Sequence, residues 1–557
     1  VKKWVVRKVL KESELENADF EFIVNLLLEN RGIGEDEREE FLNPSGIAHY
    51  VKALPASFKE SLKTAREEIL SAVQKRVPII IHGDYDADGI CATAILYKTL
   101  TKTLTYPQVT WFIPNRFDHG YGLSMESVKE IDHLVDEQFP SAQRPEKSDK
   151  KPKITGEKGL IVTVDCGITA EDGVLDLARD LGYKVLITDH HQKAGREPKA
   201  DVLLWNDGMS GASVSLMLSL VLGLRDEQLV SLAGIATVTD LIPLKVFNRA
   251  LVKKSLAVLN TNPPLGIKKL VEVAGRSNGE LTTYDLGYII GPRLNASGRL
   301  DSASESLKLL LEEDPGELEK VAQKLNAINL ERQEVTQKMY DFADGLYPES
   351  EPHKLIIVKS EQFHEGVIGL VAGKLAQKYY KPTIAISING ETAKGSVRSV
   401  AGINIIDFLR RFQDRFISLG GHPMAAGFSS SLQGLDDLLA DLHALAQEII
   451  PDEVLEPQLS VDLELPLEQI SVDSLSQIDL LKPYGIGNPE PVFVSRDVGV
   501  AGSNFVGKDG SHLSLKLFDG KTYHKGILFD AKNLGIFGFN FGDKIDIAYT
   551  ASLKTYN

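Results

Sequence analysis

The chain has 557 residues, of which 43% are apolar and 25% charged, and its 62 basic against 78 acidic side chains leave a net charge of −16. At ~150 residues per domain this suggests roughly three or four domains, each with a real core, and the composition excludes collagen-like, disulfide-scaffold and wholly disordered classes. The acidic balance argues against nonspecific duplex binding, but not against a metal nuclease that gathers carboxylates at its centre and basic residues in one groove.

Residues 1–60 read mainly as helix and turn. Strand and helix signals then alternate. Val77 to His82 reads as a buried strand, Ile90 to Leu100 as a helix, and Val109 to Ile113 and Leu160 to Val164 as strands. Glu171 to Leu181 is a further helix, followed by strands at Lys184 to Thr188 and Val202 to Trp205. This alternation predicts an α/β fold with a mostly parallel sheet covered on both faces, over residues 61–305. Phe139 to Lys158, rich in Pro and Lys, reads as a solvated surface insertion. Asp314-Pro315 marks the start of a long helix, whose stripe of Leu318, Val321, Leu325, Ile328, Val335, Met339 and Phe342 suits either a core helix or, over 306–348, a connector between two lobes. Residues 349–455 read as a second α/β domain. Residues 456–557 read as a small β-barrel module, with His512 to Phe518 as a strand and Asp519-Gly520 as a turn. No apolar run approaches the ~20 residues of a membrane span, and Val1-Lys2-Lys3-Trp4 lacks the apolar stretch of a secretory signal. Lacking an initiator Met and ending abruptly at Tyr556-Asn557, the sequence reads as a fragment.

The strongest chemical signal is His82-Gly83-Asp84-Tyr85-Asp86-Ala87-Asp88-Gly89, between a strand and a helix. In an extended chain 82, 84, 86 and 88 share one face, so four potential cation ligands converge where a strand ends. A helix N-cap needs one carboxylate, not three, and the spacing after Gly89 does not continue as a calcium loop of the EF-hand type. Val162 to Gly167 carries Asp165, and Leu186 to His191 carries Asp189-His190-His191. Both lie at the C-terminal edge of a parallel sheet, where ligands bind in open α/β folds. Asp240, in Ala236 to Pro243, alone fits a helix cap as well as a ligand. The donor set is Asp and His without thiolate, which suits Mn²⁺ or Mg²⁺ over Zn²⁺. The carboxylates exceed what one cation needs, so two are inferred, with Asp165 as the bridging group. The two cysteines, Cys91 and Cys166, cannot make a disulfide framework or a Cys-rich zinc site, which points to a reducing, cytoplasmic compartment.

These four motifs resemble those of the DHH phosphoesterase superfamily, named for the triplet that is Asp189-His190-His191 here. Ile113 to Leu123, Gly291 to Leu300, His364 to Gly369, Gly420 to Gly427 and Pro483 to Pro491 narrow the resemblance to the RecJ family of single-strand-specific 5′→3′ exonucleases. Asn30-Arg31-Gly32-Ile33 and Phe41-Leu42-Asn43-Pro44 also fit its N-terminal region, so the resemblance covers nearly the whole chain. It implies a DHH domain, a connector helix, a DHH-associated domain and an oligonucleotide-binding (OB) barrel. It also implies His82, Asp86 and Asp165 as ligands of one Mn²⁺, and Asp88, Asp165, His190 and Asp240 as ligands of the other. Asp84 is expected to support this shell by hydrogen bonding, and His191 to face the scissile phosphate as donor or proton carrier. The segment Trp205 to Ser213 is shorter than the family's usual stretch, which removes no ligand.

Arginine forks suit phosphate, and the candidates are Arg116, Arg293, Arg299 and Arg398, with Ser396 close by. The commoner fate of a single Arg is a surface ion pair. The resemblance favours Arg116, Arg293, Ser396 and Arg398 as the pocket for a terminal phosphate. His422 suits either a close approach to the strand backbone or a buried turn. In the barrel, Phe505, Tyr523 and Phe529 suit base stacking, but core packing is the expected role of each. The function implied is release of 5′-mononucleotides from single-stranded DNA in recombination and repair, by a monomer with a single-strand-binding protein and a repair helicase as partners. The alternatives are a DHH phosphodiesterase for short RNA or cyclic dinucleotides, a pyrophosphatase, and a non-enzymatic scaffold. The first two suit shorter chains without a terminal barrel, and the last requires missing ligands.

Overall fold

The computed structural model describes residues 2–10, 20–115, 119–120, 122–140, 157–193, 195–276, 279–300, 302–347 and 353–553. Two compact units emerge, one of residues 46–242 and 247–456, the other of 1–45, 243–246 and 457–557. No helix among the described residues is long and apolar enough to cross a membrane.

The larger unit holds the expected parallel sheet. Its spatial order is Val109–Phe112, Ile79–Gly83, Gly159–Val164, Tyr183–Asp189, Val202–Trp205, with every pair parallel. Ile79–Gly83 and Gly159–Val164 are buried at every position. Period-2 alternation sends Ile79 and Ile81 to one core, with Ile90, Ala212 and Ile235, and Ile80 to another, with Val128, Ile131 and Leu175. Helices therefore cover both faces, and the strands read as continuous apolar runs rather than alternating ones. From Ile79–Gly83 the chain first goes to one side of the sheet and then returns to the other. This places a topological switch point between Ile79–Gly83 and Gly159–Val164, where α/β sheets open a crevice at their C-terminal edge.

The long helix runs Pro315–Leu346, and Asp314 Oδ1 accepts from the amides of Gly316 and Glu317, both at 2.9 Å. It is a connector. Leu318, Ala322 and Leu325 join the core beneath the parallel sheet, while Ala343 joins a separate core with Ile356 and Val371. Beyond it lies a mixed sheet in the order Ser418–His422, Ala425–Ser431, Thr392–Arg398, Thr383–Asn389, Ile356–Ser360, of which only the last pair is parallel. Residues 141–156 of the expected insertion lie outside the described residues. At its end Lys158 is buried rather than solvated, and pairs with Asp132 and Asp136.

The smaller unit holds the β module expected at 456–557 as a six-stranded sheet, in the order Lys3–Val9, Gln458–Glu464, Phe493–Val506, His512–Phe518, Tyr523–Leu528, with Lys544–Tyr549 also paired to Phe493–Val506, and it corrects the reading of residues 1–60. Lys3–Val9 is a strand, paired in parallel with Gln458–Glu464. Its alternation is half-exposed at best, with no fully buried position, and its partner is distant in sequence, so no local apolar pattern marks it. The helix Phe20–Asn30 packs Ile23, Leu27 and Leu28 into the same core as Leu463, Phe493, Leu513 and Leu515. Arg31 fastens this layer. It is 7% exposed and donates to Leu27 O (2.6 Å), Asn488 Oδ1 (2.8 Å) and Pro489 O (2.7 Å). Removing a charged donor from buried acceptors leaves them unsatisfied. Arg31→Ala is therefore expected to destabilise the barrel unit by about 2 kcal/mol or more, read as a lower urea midpoint in far-UV circular dichroism; an unchanged midpoint would assign Arg31 no structural weight.

Candidate metal centre

Four chain segments meet at the switch point. The first is not extended as its spacing suggested. The strand ends at Gly83 and the chain turns, with Asp86 as N-cap of the helix Ala87–Lys98, its Oδ1 accepting from the amides of Asp88 (2.9 Å) and Gly89 (3.1 Å). Convergence of the carboxylates thus comes from a strand–turn–helix bend, not from alternation along a strand. Asp88 lies in the first turn. Its two oxygens accept from the amides of Gly211 (2.8 Å) and Ala212 (2.6 Å) at the start of the helix Gly211–Val221. A Cβ on Gly211 would collide with the Asp165 carboxylate. Asp165 follows its strand with φ +63°, a conformation uncommon outside glycine and concentrated at functional sites. Asp240 caps the C-terminus of Glu227–Thr239, and its carboxylate also faces Asp88 and His190.

The donor atoms fall into overlapping groups, each within 4.8 Å: Asp84, Asp86 and Asp165; Asp165, His190 and His191; Asp88, His190 and Asp240. His190 Nε2 lies 3.1 Å from Asp165 Oδ1, 3.6 Å from Asp240 Oδ2 and 3.7 Å from Asp88 Oδ2. Asp165 belongs both to the Asp84–Asp86 side and to the histidine side, as a bridging carboxylate would. Asp84 lies in one group with Asp86 and Asp165, beside the shell it is expected to support. His82 falls outside these groups; its Nδ1 is 3.5 Å from Cys166 Sγ and its ring 5.6 Å from that of Phe112. Yet His82 Nε2, Asp165 Oδ1 and His190 Nε2 are all buried without a hydrogen-bond partner. Buried polar atoms are normally satisfied, and three such donors in one crevice fit divalent cations. The oxygen and imidazole donors suit Mn²⁺ or Mg²⁺.

Burial, then the neighbouring carboxylates, push Asp88 up to about 7, Asp240 up to about 8 and Asp165 well above the usual carboxylate range. Burial holds His82 and His190 down to about 4. Asp189, absent from the predicted site residues, organises the triplet. Its Oδ1 accepts from His191 Nδ1 (2.9 Å) and from the amides of His190 (2.6 Å) and His191 (3.1 Å), and its Oδ2 from Ile168 N (2.8 Å). Burial opposes a charge on His191, but the Asp189 hydrogen bond and charge outweigh it and raise His191 to about 9. Nδ1 is thereby fixed as a donor to Asp189, and Nε2 is the nitrogen left for the cluster.

Of the expected phosphate ligands, Ser396 and Arg398 sit together, with Arg398 Nη1 donating to Ser396 Oγ at 3.2 Å. They line the start of the helix Ile368–Tyr379, where a Cβ on Gly369 would lie 2.9 Å from both Arg398 Nη2 and Ser396 Oγ. A helix N-terminus beside an arginine suits an anion. Arg299 Nη1 reaches Gly366 O in the preceding loop (3.4 Å). Arg293 does not join them in the described contacts; it donates to Asn326 Oδ1 on the connector (3.0 Å) and to Ile289 O (2.8 Å). Arg116 lies outside the described residues. His422 is exposed rather than buried in its turn, with its ring 6.3 Å from that of His191. Asn295, unassigned by the sequence reading though inside a quoted motif, accepts from Ala87 N at 2.7 Å. On the same helix a Cβ on Gly298 would lie 2.5 Å from Tyr85 O. The helix Gly291–Leu300 thus holds the metal loop at one point and the Gly366 loop at another. In the barrel, Phe505, Tyr523 and Phe529 are 37%, 61% and 67% exposed, which overturns their expected core packing. The core positions are filled by Phe493, Val498, Val500, Leu513, Leu515 and Leu517. Lys516 Nζ lies 4.2 Å over the Tyr523 ring and Lys532 Nζ 5.1 Å over that of Phe505.

A parallel sheet with carboxylate and imidazole donors at its switch point, joined by a long helix to a second mixed sheet, defines a DHH-type phosphoesterase architecture. Family models agree: residues 78–239 match the DHH family N-terminal domain, 353–448 the DHHA1 domain and 461–557 the RecJ OB domain. The chain is 32% identical over 480 residues to the single-stranded-DNA-specific exonuclease RecJ of Salmonella typhimurium, covering 80% of this chain and 79% of that one. It is 31% identical over 499 residues to the Bacillus subtilis enzyme, covering 87% of this chain but 59% of that longer one. The crystal structure of RecJ in complex with Mn²⁺ from Thermus thermophilus superposes over 100% of this chain and 77% of its own length, with TM-score 0.78 and 27% identity. The chain belongs to the RecJ family.

The shifted groups set a pH dependence. In the metal-free protein Asp88 and Asp240 keep protons that the unfolded chain releases near its ordinary carboxylate pKa, so their contribution to stability is lost as pH rises through about 7 and 8; Asp165, pushed well above the usual carboxylate range, acts with the same sign. His191 acts with the same sign, its stabilising charge being lost as pH rises from 6.5 through about 9. His82 and His190 act oppositely, but only between about 4 and 6.5. The melting temperature of the EDTA-treated protein is therefore expected to fall from pH 6.5 to 9, and Mn²⁺ to raise it by an increment that grows with pH. A flat or rising metal-free profile over that window would count against the buried carboxylate cluster.

Proposed function

We propose that the chain is a 5′→3′ exonuclease of single-stranded DNA that hydrolyses phosphodiester bonds to release 5′-mononucleotides, using two divalent cations, Mn²⁺ or Mg²⁺, and that it serves recombination and repair. The observation that carries this is the set of buried, unsatisfied donors around Asp165, in a chain whose RecJ relatives are single-stranded-DNA-specific exonucleases and whose structural neighbours hold Mn²⁺ and Mg²⁺. His82, Asp86 and Asp165, with Asp84 beside them, would hold one cation; Asp88, Asp165, His190 and Asp240 would hold the other. When bound, such cations polarise phosphoryl oxygens, lower the pKa of the attacking water and stabilise the leaving oxygen.

The protein's own groups do the rest. The Asp189 hydrogen bond at His191 Nδ1 and the Asp189 charge favour the protonated ring, which would leave Nε2–H as a donor to the scissile phosphate. The amides of Gly211 and Ala212 hold Asp88 in place, so the cluster does not rearrange when charge develops. Arg398, Ser396 and the helix N-terminus at Ile368 would take the 5′-terminal phosphate, the role expected of Arg116 as well, with Arg299 and His422 toward the strand backbone. The exposed Tyr523 and Phe505 and their lysines suit sequence-tolerant stacking on single strands. A monomer receiving its strand from a single-strand-binding protein or a repair helicase belongs to the same proposal. The diesterase, pyrophosphatase and scaffold readings are disfavoured by the match to the RecJ OB domain and by the presence of every ligand.

A single-stranded oligonucleotide labelled at its 5′ end, incubated with Mn²⁺, is expected to release labelled mononucleotide at once, with no ladder. A descending ladder would reverse the polarity, and no cleavage would return attention to short RNA or cyclic dinucleotides. Asp165→Ala is expected to lose turnover while keeping its fold and most strand binding; retained turnover would remove Asp165 from the bridging role. Arg398→Ala is expected to weaken preference for a 5′-phosphate by about tenfold or more, the worth of a charge-assisted hydrogen bond, with little change in kcat. Equal rates on phosphorylated and hydroxyl ends in both proteins would defeat that assignment.

A further inference from the structure

The inward seam of the connector changes character halfway along. Leu318, Ala322 and Leu325 are apolar at one end, and Met339 and Ala343 at the other. Between them stand Asn329, Arg332 and Thr336, spaced in helical steps that keep them on the same face. Asn329 is 0% exposed and Thr336 5%. Asn329 Nδ2, Arg332 Nε and Thr336 Oγ1 are all buried without a hydrogen-bond partner. Buried polar groups are normally paired, and each one left unpaired is costly.

Nothing local satisfies these donors. Thr93, Thr99 and Thr237, buried in other helices, each donate to the carbonyl four residues back at 2.7 Å, whereas Thr336 does not. Asn329 Oδ1 already accepts from Arg332 Nη2 (2.9 Å), which leaves the Asn329 amide nitrogen and Arg332 Nε over. Arg293, on the adjoining helix, donates to Asn326 Oδ1, one turn before Asn329. Burial works against the charge of both arginines, and Arg293 works against that of Arg332. Among the described residues no carboxylate pairs with either, and arginine does not shed its proton. Two guanidinium charges and three unpaired buried donors, with no acid among them, are complementary to an anion.

The place suits a nucleic-acid anion. Gln337, next along the connector, accepts from Lys374 Nζ at 2.6 Å. Lys374 follows Gly373, where a Cβ would lie 3.9 Å from Arg398 Cγ. The unpaired face thus runs between the helix Gly291–Leu300, which holds the metal loop, and the helix Ile368–Tyr379, whose start Ser396 and Arg398 line. Convergent donors with arginine forks fit phosphate oxygens.

We propose that Asn329, Arg332 and Thr336, with Arg293 beside them, form a second phosphate-binding site, on the connector and distinct from the Ser396–Arg398 pair. That the site takes phosphate stands on the unpaired donors alone. That the phosphate comes from a strand, or from the mononucleotide cut from it, rests on the nuclease reading.

The test is the melting temperature of the full, EDTA-treated chain in chloride and in inorganic phosphate at matched ionic strength. An Arg398→Ala background removes the terminal pocket; if that variant does not fold, the wild-type background serves, and part of the phosphate effect is lost rather than all. Phosphate is expected to raise the melting temperature by mass action. Thr336→Val and Asn329→Leu nearly keep the shape of each side chain and remove an unsatisfied polar group. In chloride each is expected to melt at the same temperature or higher, and each, like Arg332→Gln, to bind phosphate about tenfold or more weakly. Lower melting in chloride with the phosphate effect intact would mark a merely structural role and overturn the inference. So would the absence of any phosphate effect before these substitutions. Either result leaves the nuclease reading standing. Oligonucleotide kinetics of Arg332→Gln then identify the source. A higher KM on 5′-phosphorylated and 5′-hydroxyl strands alike assigns the phosphate to the strand interior. An unchanged KM with weaker inhibition by mononucleotide assigns it to the released product. A wild-type chain that binds phosphate here but does not cut single strands overturns the nuclease reading and leaves this one standing.

Discussion

The structure around the sheet edge answers to one electrostatic constraint. Asp84, Asp86, Asp88, Asp165 and Asp240 crowd a crevice from which solvent is largely excluded, and they cannot all carry charge there without cations. Repulsion of this kind drives a site apart unless the scaffold holds it together. Here it does so mainly with backbone. The helix cap at Asp86, the amide pair on Asp88 and the three amides on Asp189 each fix a carboxylate or its neighbour from the main chain. Asp165 is held in a left-handed conformation at the end of a wholly buried strand. The parallel sheet supplies the stiffness, and its switch point supplies the opening.

The rest of the larger unit extends that centre toward a substrate. The helix Gly291–Leu300 takes hold of the metal loop through Asn295 and Gly298 and of the Gly366 loop through Arg299. The connector does the same on a larger scale, with one end in the core of each sheet. An anion bound at Ser396 and Arg398 would thus sit in a frame continuous with the carboxylate cluster, which is what the proposed reaction, counted from a strand terminus, needs.

Much of this was legible in the sequence because the signals are local. Continuous apolar runs gave the buried strands, Asp314-Pro315 the start of the connector, and acids after strand ends the site. What was not legible depended on distant contacts. Trp4, Val5, Val6 and Val9 favour a strand, but Lys3–Val9 has no fully buried position and finds its partner only at Gln458–Glu464, so no buried apolar run marked it. Phe505, Tyr523 and Phe529 look like core residues by type, and only the register of their strands and loops turns them outward. The alternation assumed for residues 82 to 88 failed because a cap ended the strand early. Asp84 was expected to support the shell by hydrogen bonding, and its nearness to Asp86 and Asp165 depends on a strand end that lies far off in sequence. Asn295 and Asp189 were visible as motif residues, but their acceptor roles require knowing which amides face them.

The grip on Asp88 has an effect on how this protein tolerates sequence change. Its two donors are peptide N–H groups, present whatever side chain stands at the position, proline excepted. The grip is thus indifferent to side-chain identity at Ala212 as far as the two hydrogen bonds go, although the buried face of the helix, Gly211 to Ser219, is constrained by packing. Gly211 is constrained more tightly still, since any side chain there would strike Asp165. At that position the centre depends on one hydrogen atom, the second α-hydrogen of Gly211.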